Sequence, residues 1–237
     1  MSEQMPTQPE APPPTSGPCS RCGKPAALCV CDDIVPIDHR IAVLILQHPQ
    51  EQDVELGTAR LTALALKHAM LKVGLSWPSL AKPLGRTADP QRWAVLYLGS
   101  AKGAELAAGR DIVMLDRRGA ALADQETALA GLEGIIVLDG TWSQAKALWW
   151  RNPWLLKCRR VVLAPRRASR YGSLRREPRR DSLSTLEAVA MVLGRVEGRP
   201  EIEETLLRSF GRLLERYRAA HGEVRVAPRP RRRGARS

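Results

Sequence analysis

Residues 134–155 read GIIVLDGTWSQAKALWWRNPWL and carry the strongest structural signal in the chain. The apolar start, GIIVL, ends abruptly at DGTW, and apolar residues at helical spacing follow. That order is typical of a buried strand, a glycine turn and a helix. Thr141 and Gln144 match a capping box, which satisfies the first amides of the predicted helix without help from Asp139.

Asp139 is therefore an acidic residue at the end of a strand that is not needed to cap the following helix. In open α/β sheets, ligands bind in the crevice beyond the carboxyl ends of the strands. Two interpretations follow from the spacing alone. The carboxylate faces a ligand, or it hydrogen-bonds its own backbone in a tight turn.

Hydrophobic runs elsewhere predict an α/β fold. They are continuous rather than alternating, as in strands covered on both faces, and helical patterns separate them. This order indicates a mostly parallel sheet flanked by helices. We expect strands at residues 41–46, 93–98, 112–114, 135–138 and 161–163, and helices at 58–73, 141–150, 184–195 and 202–220.

Composition divides the chain into four parts. Residues 1–18 are rich in Pro, Gln and Glu and are predicted to be disordered. Residues 19–35 hold four cysteines, residues 36–222 form the α/β domain, and residues 223–237 are a basic tail that is also predicted to be disordered. The N-terminus lacks a signal peptide and no apolar run could span a membrane, which predicts a cytoplasmic protein without a membrane partner.

The cysteine cluster predicts a structural zinc site. Cys19, Cys22, Cys29 and Cys31 offer four soft ligands within thirteen residues, enough for a tetrahedral Zn site. Free thiols and a redox pair are the alternatives, whereas a reducing compartment disfavours disulfides. The fifth cysteine, Cys158, stands alone and is expected to be a small core residue.

Charge predicts a nucleic-acid partner. The chain has 37 Lys and Arg against 25 Asp and Glu, a net charge of +12, which favours a polyanion. Residues 151–181 hold eleven of these cations and two acids. We expect Arg166, Arg170, Arg175 and Arg176 to bind RNA phosphates, the alternative being a solubilising basic surface.

The aromatic residues near this basic segment fall into two groups. Trp150, Trp154 and Tyr171 lie in or beside it and are candidates to stack on bases. Trp142 and Trp149 are seven residues apart on the predicted helix, and both are expected to pack in the core.

Four elements, in order along roughly residues 19–220, resemble the DTW-domain family. The cysteine cluster is the first. Residues 47–51, QHPQE, resemble the family's His-Pro-x-Glu segment, and Asp139, Thr141 and Trp142 match its Asp-x-Thr-Trp tetrad. Residues 171–188, YGSLRREPRRDSLSTLEA, resemble its Arg/Pro-rich stretch followed by Ser-Thr-Leu-Glu-Ala.

The resemblance implies a tRNA-uridine aminocarboxypropyltransferase that uses S-adenosylmethionine as donor and N3 of a uridine as acceptor. It also implies a SPOUT-like sheet with a C-terminal knot. Asp139 is then expected to be the general base for the N3 proton, and the capped helix start at Ser184 is expected to face the donor's carboxylate. The residues expected to bind substrate or cofactor are His48, Glu51, Thr141, Trp142, Ser184, Thr185 and Glu187.

Two other functions stay open on the residues alone. An S-adenosylmethionine-dependent RNA methyltransferase on a related fold would transfer the methyl group instead. A non-catalytic, zinc-containing RNA-binding protein would need only the basic segment and the cysteines. Asp139 and His48 argue against the second, because neither is needed to hold phosphate. A homodimer is common among SPOUT enzymes, and the sequence leaves the oligomeric state open.

Overall fold

A computed structural model describes residues 17–96, 111–116, 118–164, 167–172, 174 and 183–222. The segments expected to be disordered, 1–18 and 223–237, lie outside this part of the chain except for Gly17 and Pro18. The strands are β1 Ala42–Gln47, β2 Ala69–Val73, β3 Trp93–Leu96, β4 Ile112–Leu115, β5 Gly134–Asp139 and β6 Arg159–Leu163. The α-helices are α1 Ala59–Leu64, α2 Ala81–Leu84, α3 Gln125–Ala130, α4 Trp142–Arg151, α5 Thr185–Val196 and α6 Pro200–His221.

The strands form one sheet in the order β2-β1-β5-β3-β6-β4. Every pairing is parallel except that of β4 with β6, which confirms the predicted mostly parallel α/β fold. The chain leaves β1 towards β2 and leaves β5 towards β6, on opposite sides. The carboxyl ends of β1 and β5 are therefore adjacent at a topological switch point, the place where such sheets bind ligands.

Two apolar layers cover the sheet. On one face, residues of β1 and β5 pack against α1, α3, α5 and α6 in a large core that includes Phe210. On the other face, α4 and α2 bury Ala145, Leu148 and Leu84 against the alternate residues of the same strands. Because both faces are covered, β5 is buried along its whole length, as its continuous apolar sequence predicts.

The prediction of a single long helix over residues 58–73 is wrong. Helix α1 ends at Leu64, and the next residues form β2, which pairs with β1 from Ala69 onwards. The break comes from pairing with the segment before β1, because the Lys67 N–H donates to the Ile37 carbonyl oxygen and the His68 N–H donates to Nε2 of His39. Tertiary hydrogen bonds thus override a local helical pattern.

The four-cysteine element docks on the last helix. Leu28, Val30 and Ile34 are buried in the same core as Phe210 of α6, and the Arg216 guanidinium donates to the carbonyl oxygen of Cys29. The element therefore packs onto the α/β core instead of standing apart from it. Among the described residues, no helix is both long enough and apolar enough to cross a bilayer.

Candidate active site

Asp139 lies at the switch point, at the end of β5. It is 8% exposed, and its Cα pairs with that of Gln47 at the end of β1. Gln47 is buried as well, and its Nε2 donates to one Asp139 carboxylate oxygen at 2.9 Å. The carboxylate is therefore held by a neighbouring strand and not by its own backbone, which removes the tight-turn interpretation.

Helix α5 supplies the second donor. The Thr185 hydroxyl lies 2.5 Å from the other carboxylate oxygen of Asp139 and donates to it. Thr185 is the first residue of α5, and α4 begins three residues after Asp139. Two helix N-termini thus lie beside the carboxylate, and their partial positive charges stabilise an anion there. Each oxygen keeps a lone pair, so Asp139 can accept a further hydrogen bond or a proton.

The turn after Asp139 requires glycine. Gly140 has φ of 157°, and a Cβ at this position would lie 2.8 Å from Cβ of Gln144. The predicted capping box follows, with the Thr141 N–H donating to Oε1 of Gln144 at 2.6 Å. Gln144 also donates through Nε2 to Oε1 of Gln50 at 3.2 Å. The start of α4 is therefore tied to the segment that follows β1.

His48 and Glu51 lie in that segment and face different surroundings. The His48 N–H donates to the Asp139 carbonyl oxygen at 2.9 Å, and its Nδ1 accepts from the Gln50 N–H, so His48 is a hydrogen-bonded turn residue beside Asp139. Glu51 is 5% exposed. It lines a cavity of about 280 Å³ together with Gln47 and Lys24, and Cys22 of the cysteine element lines the same cavity.

Lys24 connects the cysteine element to the site. Its ammonium group donates to the carbonyl oxygens of Glu55 and Gly57 at 2.5 and 2.8 Å. Burial lowers the pKa of Lys24 to about 8. The segment that it holds leads directly to Thr58, whose hydroxyl accepts from the Leu186 N–H in the first turn of α5. Hydrogen bonds and the short segment between Glu55 and Thr58 thus link the cysteine element to α5, whose Thr185 contacts Asp139.

The second predicted capping box is also present. Ser184 Oγ accepts from the Glu187 N–H at 3.2 Å, and Glu187 Oε2 accepts from the Ser184 N–H at 2.8 Å. The same carboxylate accepts from the Ser169 hydroxyl and the Arg170 N–H, both at 2.7 Å. Glu187 therefore fastens the loop after β6 to α5, while Thr185 is the member of this group that contacts Asp139.

A larger cavity, of about 530 Å³, lies along α5, and its lining includes neither Asp139 nor Thr185. Its volume is within the range of about 300–1,000 Å³ usual for small-molecule sites. It is bordered by the loop after β6, by the residue before β4 and by facing surfaces of α5 and α6. The lining includes Asp111, Arg167, Arg170, Glu187, Met191 and Glu203.

The four N-terminal thiols form a compact group. All four Sγ atoms lie within 4.8 Å of one another. The Cys19–Cys31 and Cys22–Cys29 sulfur distances are 3.8 and 3.7 Å. A tetrahedral zinc with Zn–S bonds of about 2.3 Å places its sulfurs about 3.8 Å apart. This set of donors can therefore hold a metal ion, and its spacing fits zinc.

The surroundings shift the pKa values of these thiols in different directions. Backbone N–H groups, that of Cys22 foremost, lower the pKa of Cys19 to about 6. Burial raises the pKa values of Cys29 and Cys31. A metal ion would neutralise the thiolates that burial disfavours. Cys158 is different, because it is fully buried in the core beside α4, as expected, and burial raises its pKa to about 12.

The aromatic residues only partly follow the sequence predictions. Trp149 packs against the core as expected. The prediction that Trp142 packs in the core is wrong, because Trp142 is 38% exposed. The prediction that Trp154 and Tyr171 stack on bases is wrong, because both side chains are buried. Trp154 donates to the carbonyl oxygen of Trp77, and Tyr171 donates to that of Leu56. Trp150 is 73% exposed, so it stays a stacking candidate.

Of the arginines expected to bind RNA, only Arg170 is described. It is exposed, and its guanidinium donates to the carbonyl oxygen of Leu207 on α6 at 3.1 Å. Arg166, Arg175 and Arg176 lie outside the described residues. Arg170 and the neighbouring Arg167 line the larger cavity.

Comparison with known proteins shows the family of the chain. A model of the DTW domain matches residues 17–218. The chain belongs to the DTW-domain family. It is similar to a Drosophila melanogaster protein named tRNA-uridine aminocarboxypropyltransferase 2, with 32% identity over 219 residues, 90% of this chain and 79% of the fly protein. Proteins of the same name from Macaca fascicularis and Mus musculus are 31% and 30% identical over 215 residues, 88% of this chain and 66% of each relative. No solved structure matches the chain significantly.

Three residues of the site were missed by sequence reasoning. Gln47 ends a strand that was predicted, but its partner is 92 residues away, and a glutamine by itself gives no functional signal. Thr58 and Lys24 act through bonds to distant segments of the DTW domain. The only available signal was position, because Gln47 follows the apolar run of β1 as Asp139 follows that of β5.

Proposed function

We propose that this DTW-domain chain transfers the 3-amino-3-carboxypropyl group of S-adenosylmethionine to N3 of a uridine in tRNA. The observation that carries the proposal is Asp139, held between Gln47 and Thr185 at the switch point of the sheet. The activity named for three relatives supports the choice of reaction.

In the proposed mechanism, Asp139 accepts the N3 proton of the uridine as general base. N3 then forms a bond to the sulfonium-bound methylene carbon of the aminocarboxypropyl group. The carbon–sulfur bond breaks, and its electron pair stays on sulfur to give neutral methylthioadenosine. Gln47 and Thr185 keep the carboxylate in one orientation, and alignment of donor and acceptor decides which carbon reacts.

The donor is proposed to occupy the larger cavity, and the uridine the surface next to Asp139. The size of the cavity and its mixed charge suit a nucleoside that carries a sulfonium, an ammonium and a carboxylate group. Thr185 and the start of α5 are proposed to lie nearest the donor's carboxylate. His48, Glu51, Thr141, Trp142 and Ser184 are proposed to line the rest of the site, and Glu187 to fix the loop that borders it.

Further features complete the proposal. Zinc at Cys19, Cys22, Cys29 and Cys31 would have a structural role. The nucleophilic displacement at the sulfonium-bound carbon needs no metal. A SPOUT-like knot, a cytoplasmic location, a homodimer, and the division into residues 1–18, 19–35, 36–222 and 223–237 stay predictions.

The deciding experiment is product analysis. The protein is incubated with S-adenosylmethionine and an unmodified tRNA transcript. We expect methylthioadenosine to be released and the mass of an aminocarboxypropyl group to be added to one uridine. Release of S-adenosylhomocysteine would identify a methyltransferase instead. Tight tRNA binding without donor consumption would identify an RNA-binding protein.

The basic segment carries a separate prediction about tRNA affinity. Replacing Arg166, Arg170, Arg175 and Arg176 by Ala removes four cations from a segment with eleven. Each lost phosphate contact is expected to reduce the slope of log affinity against log salt by about one unit. Titrations at several salt concentrations measure the slope.

The matched control is Arg118→Ala, an exposed arginine outside the basic segment. It is expected to leave the slope as in the wild type. An unchanged slope in the fourfold variant would locate the RNA surface elsewhere.

A further inference from the structure

Helix α4 has an exposed strip that the proposed mechanism does not use in full. Trp142, Lys146 and Trp150 are spaced at i, i+4 and i+8, so they lie along one side of the helix. All three are exposed, Trp142 to 38% and Trp150 to 73%. We call these three residues the tryptophan ridge.

The residues that are buried between α4 and the sheet are not those of the ridge. Ala145 and Leu148, which point away from Trp150 on the helix, are buried against the sheet, and Trp149 packs against the same core. Neither Trp142 nor Trp150 belongs to an apolar core of the described residues. Two large apolar rings at helical spacing on an exposed face point to a surface that binds a partner.

The charge around the ridge selects the partner. Residues 140–160, which contain α4 and the segment that follows it, include five Lys and Arg and no Asp or Glu. Lys146 lies between the two indoles, and Arg151 follows Trp150 and is exposed. Aromatic rings alternating with cations are the usual surface for single-stranded nucleic acid, because the rings stack on bases and the cations neutralise phosphates.

The ridge also begins at the reaction centre. Trp142 is three residues from Asp139 and is the first residue of α4. Eight residues at about 1.5 Å each separate Trp142 from Trp150 by about 12 Å along the helix. That length corresponds to three or four base steps of about 3.4 Å in a stacked strand.

We propose that the tryptophan ridge binds the unpaired nucleotides that flank the target uridine. One base stacks on Trp142, another stacks on Trp150, and Lys146 contacts a phosphate between them. This inference rests on the proposed function, because Asp139 fixes where the uridine lies. It adds a path for the RNA strand along α4, away from the arginines after β6.

The test is binding of RNA in the absence of donor, so that turnover does not enter. The probes are an unmodified tRNA transcript and a single-stranded, uridine-containing RNA oligonucleotide, followed by fluorescence anisotropy. Trp150→Ala is expected to raise Kd for both probes about 5- to 100-fold, the effect of losing one stacked base. Trp150→Phe keeps a ring and is expected to stay within a few-fold of the wild type.

Lys146 gives an independent measurement. Lys146→Ala is expected to reduce the salt slope for the oligonucleotide by about 0.7, the value for one phosphate of a single strand. The matched control is Leu156→Ala, which removes an apolar side chain that is 46% exposed but lies off the ridge. It is expected to change neither Kd nor the slope.

Two results would overturn the inference. One is an unchanged Kd for Trp150→Ala with both probes. The other is a change of oligomeric state in that variant by light scattering, which would make the ridge a contact between two copies of the chain. These results are separate from the fate of the proposed function. If wild-type protein releases methylthioadenosine while Trp150→Ala binds RNA normally, the ridge fails and the function stands. If no donor is consumed but Kd depends on Trp150, the ridge stands as an RNA surface and the function fails.

Discussion

Asp139→Asn is expected to reduce turnover by about 10²–10⁴-fold, the usual contribution of a general base. An amide cannot accept the N3 proton, so the uridine stays neutral and is a poor nucleophile. The shape of the site should persist, since the Thr185 hydroxyl can still donate to the amide oxygen. The Gln47 side chain can rotate to offer its oxygen to the new NH₂ group, because both amide atoms lie on one planar end.

The measurement is the rate of methylthioadenosine release at saturating tRNA and donor. Affinity for tRNA is measured alongside and is expected to stay close to that of the wild type. The matched control is Asp38→Asn, which makes the same change at an exposed carboxylate before β1, where it pairs with Lys67 and His68. Nearly normal turnover of Asp139→Asn would exclude this residue as the general base and leave it only a part in positioning the substrate.

Loss of the metal is expected to have the largest effect on stability. Structural zinc sites in small domains contribute about 10–16 kcal/mol of apparent binding free energy near pH 7. Cys22→Ser removes one of four ligands and should abolish tight metal binding. Without the metal, Leu28 and Val30 lose the scaffold that holds them in the core against α6. We therefore expect a clearly lower midpoint of thermal unfolding.

Elemental analysis and hydrogen exchange test this prediction. Wild-type protein should contain one zinc per chain, and Cys22→Ser none. The exchange of amides near Glu55 and Gly57 should speed up, because Lys24 loses its anchor next to the cysteines. Cys158→Ala is the control, since it removes a buried thiol far from the cluster and should keep the metal. Wild-type protein without metal and with four freely reactive thiols would refute the zinc site.

Metal affinity at the four cysteines is expected to depend on pH. Thiolates, and not thiols, are the ligands of zinc, so protons compete with the metal. Burial raises the pKa values of Cys29 and Cys31, which means that metal binding must release protons from these two groups at neutral pH. Metal affinity is therefore expected to fall as the pH is lowered, and a competition titration with a chelator at several pH values measures the change.

Local patterns predicted the parts of the structure that local forces determine. The strand, turn and helix around Asp139 are present, and so are both capping boxes, because each depends on residues within four positions of one another. The four thiols were also recognised, since they lie close together in the sequence.

Other parts depend on contacts between distant segments, and there the sequence was insufficient or misleading. The residues after Leu64 have a helical pattern, but those from Ala69 onwards form β2 because they pair with the edge of β1. The apolar spacing of Trp142 suggested burial, although Ala145 and Leu148 already fill the space under α4. Asp139 has two hydrogen-bond partners from distant segments. Gln47 is 92 residues away in the sequence, and Thr185 is 46 residues away.

The docking of the cysteine element on α6 has a consequence for biosynthesis. Cys29 and its partner Arg216 are 187 residues apart. At a translation rate of about 5–20 residues per second, roughly 10–40 s pass between their synthesis. During that interval the cysteines have no helix to pack against, and Leu28 and Val30 have no partner from α6. A metal bound early would hold the short loop closed until the last helix emerges from the ribosome, so metal supply during translation should govern the yield of native protein.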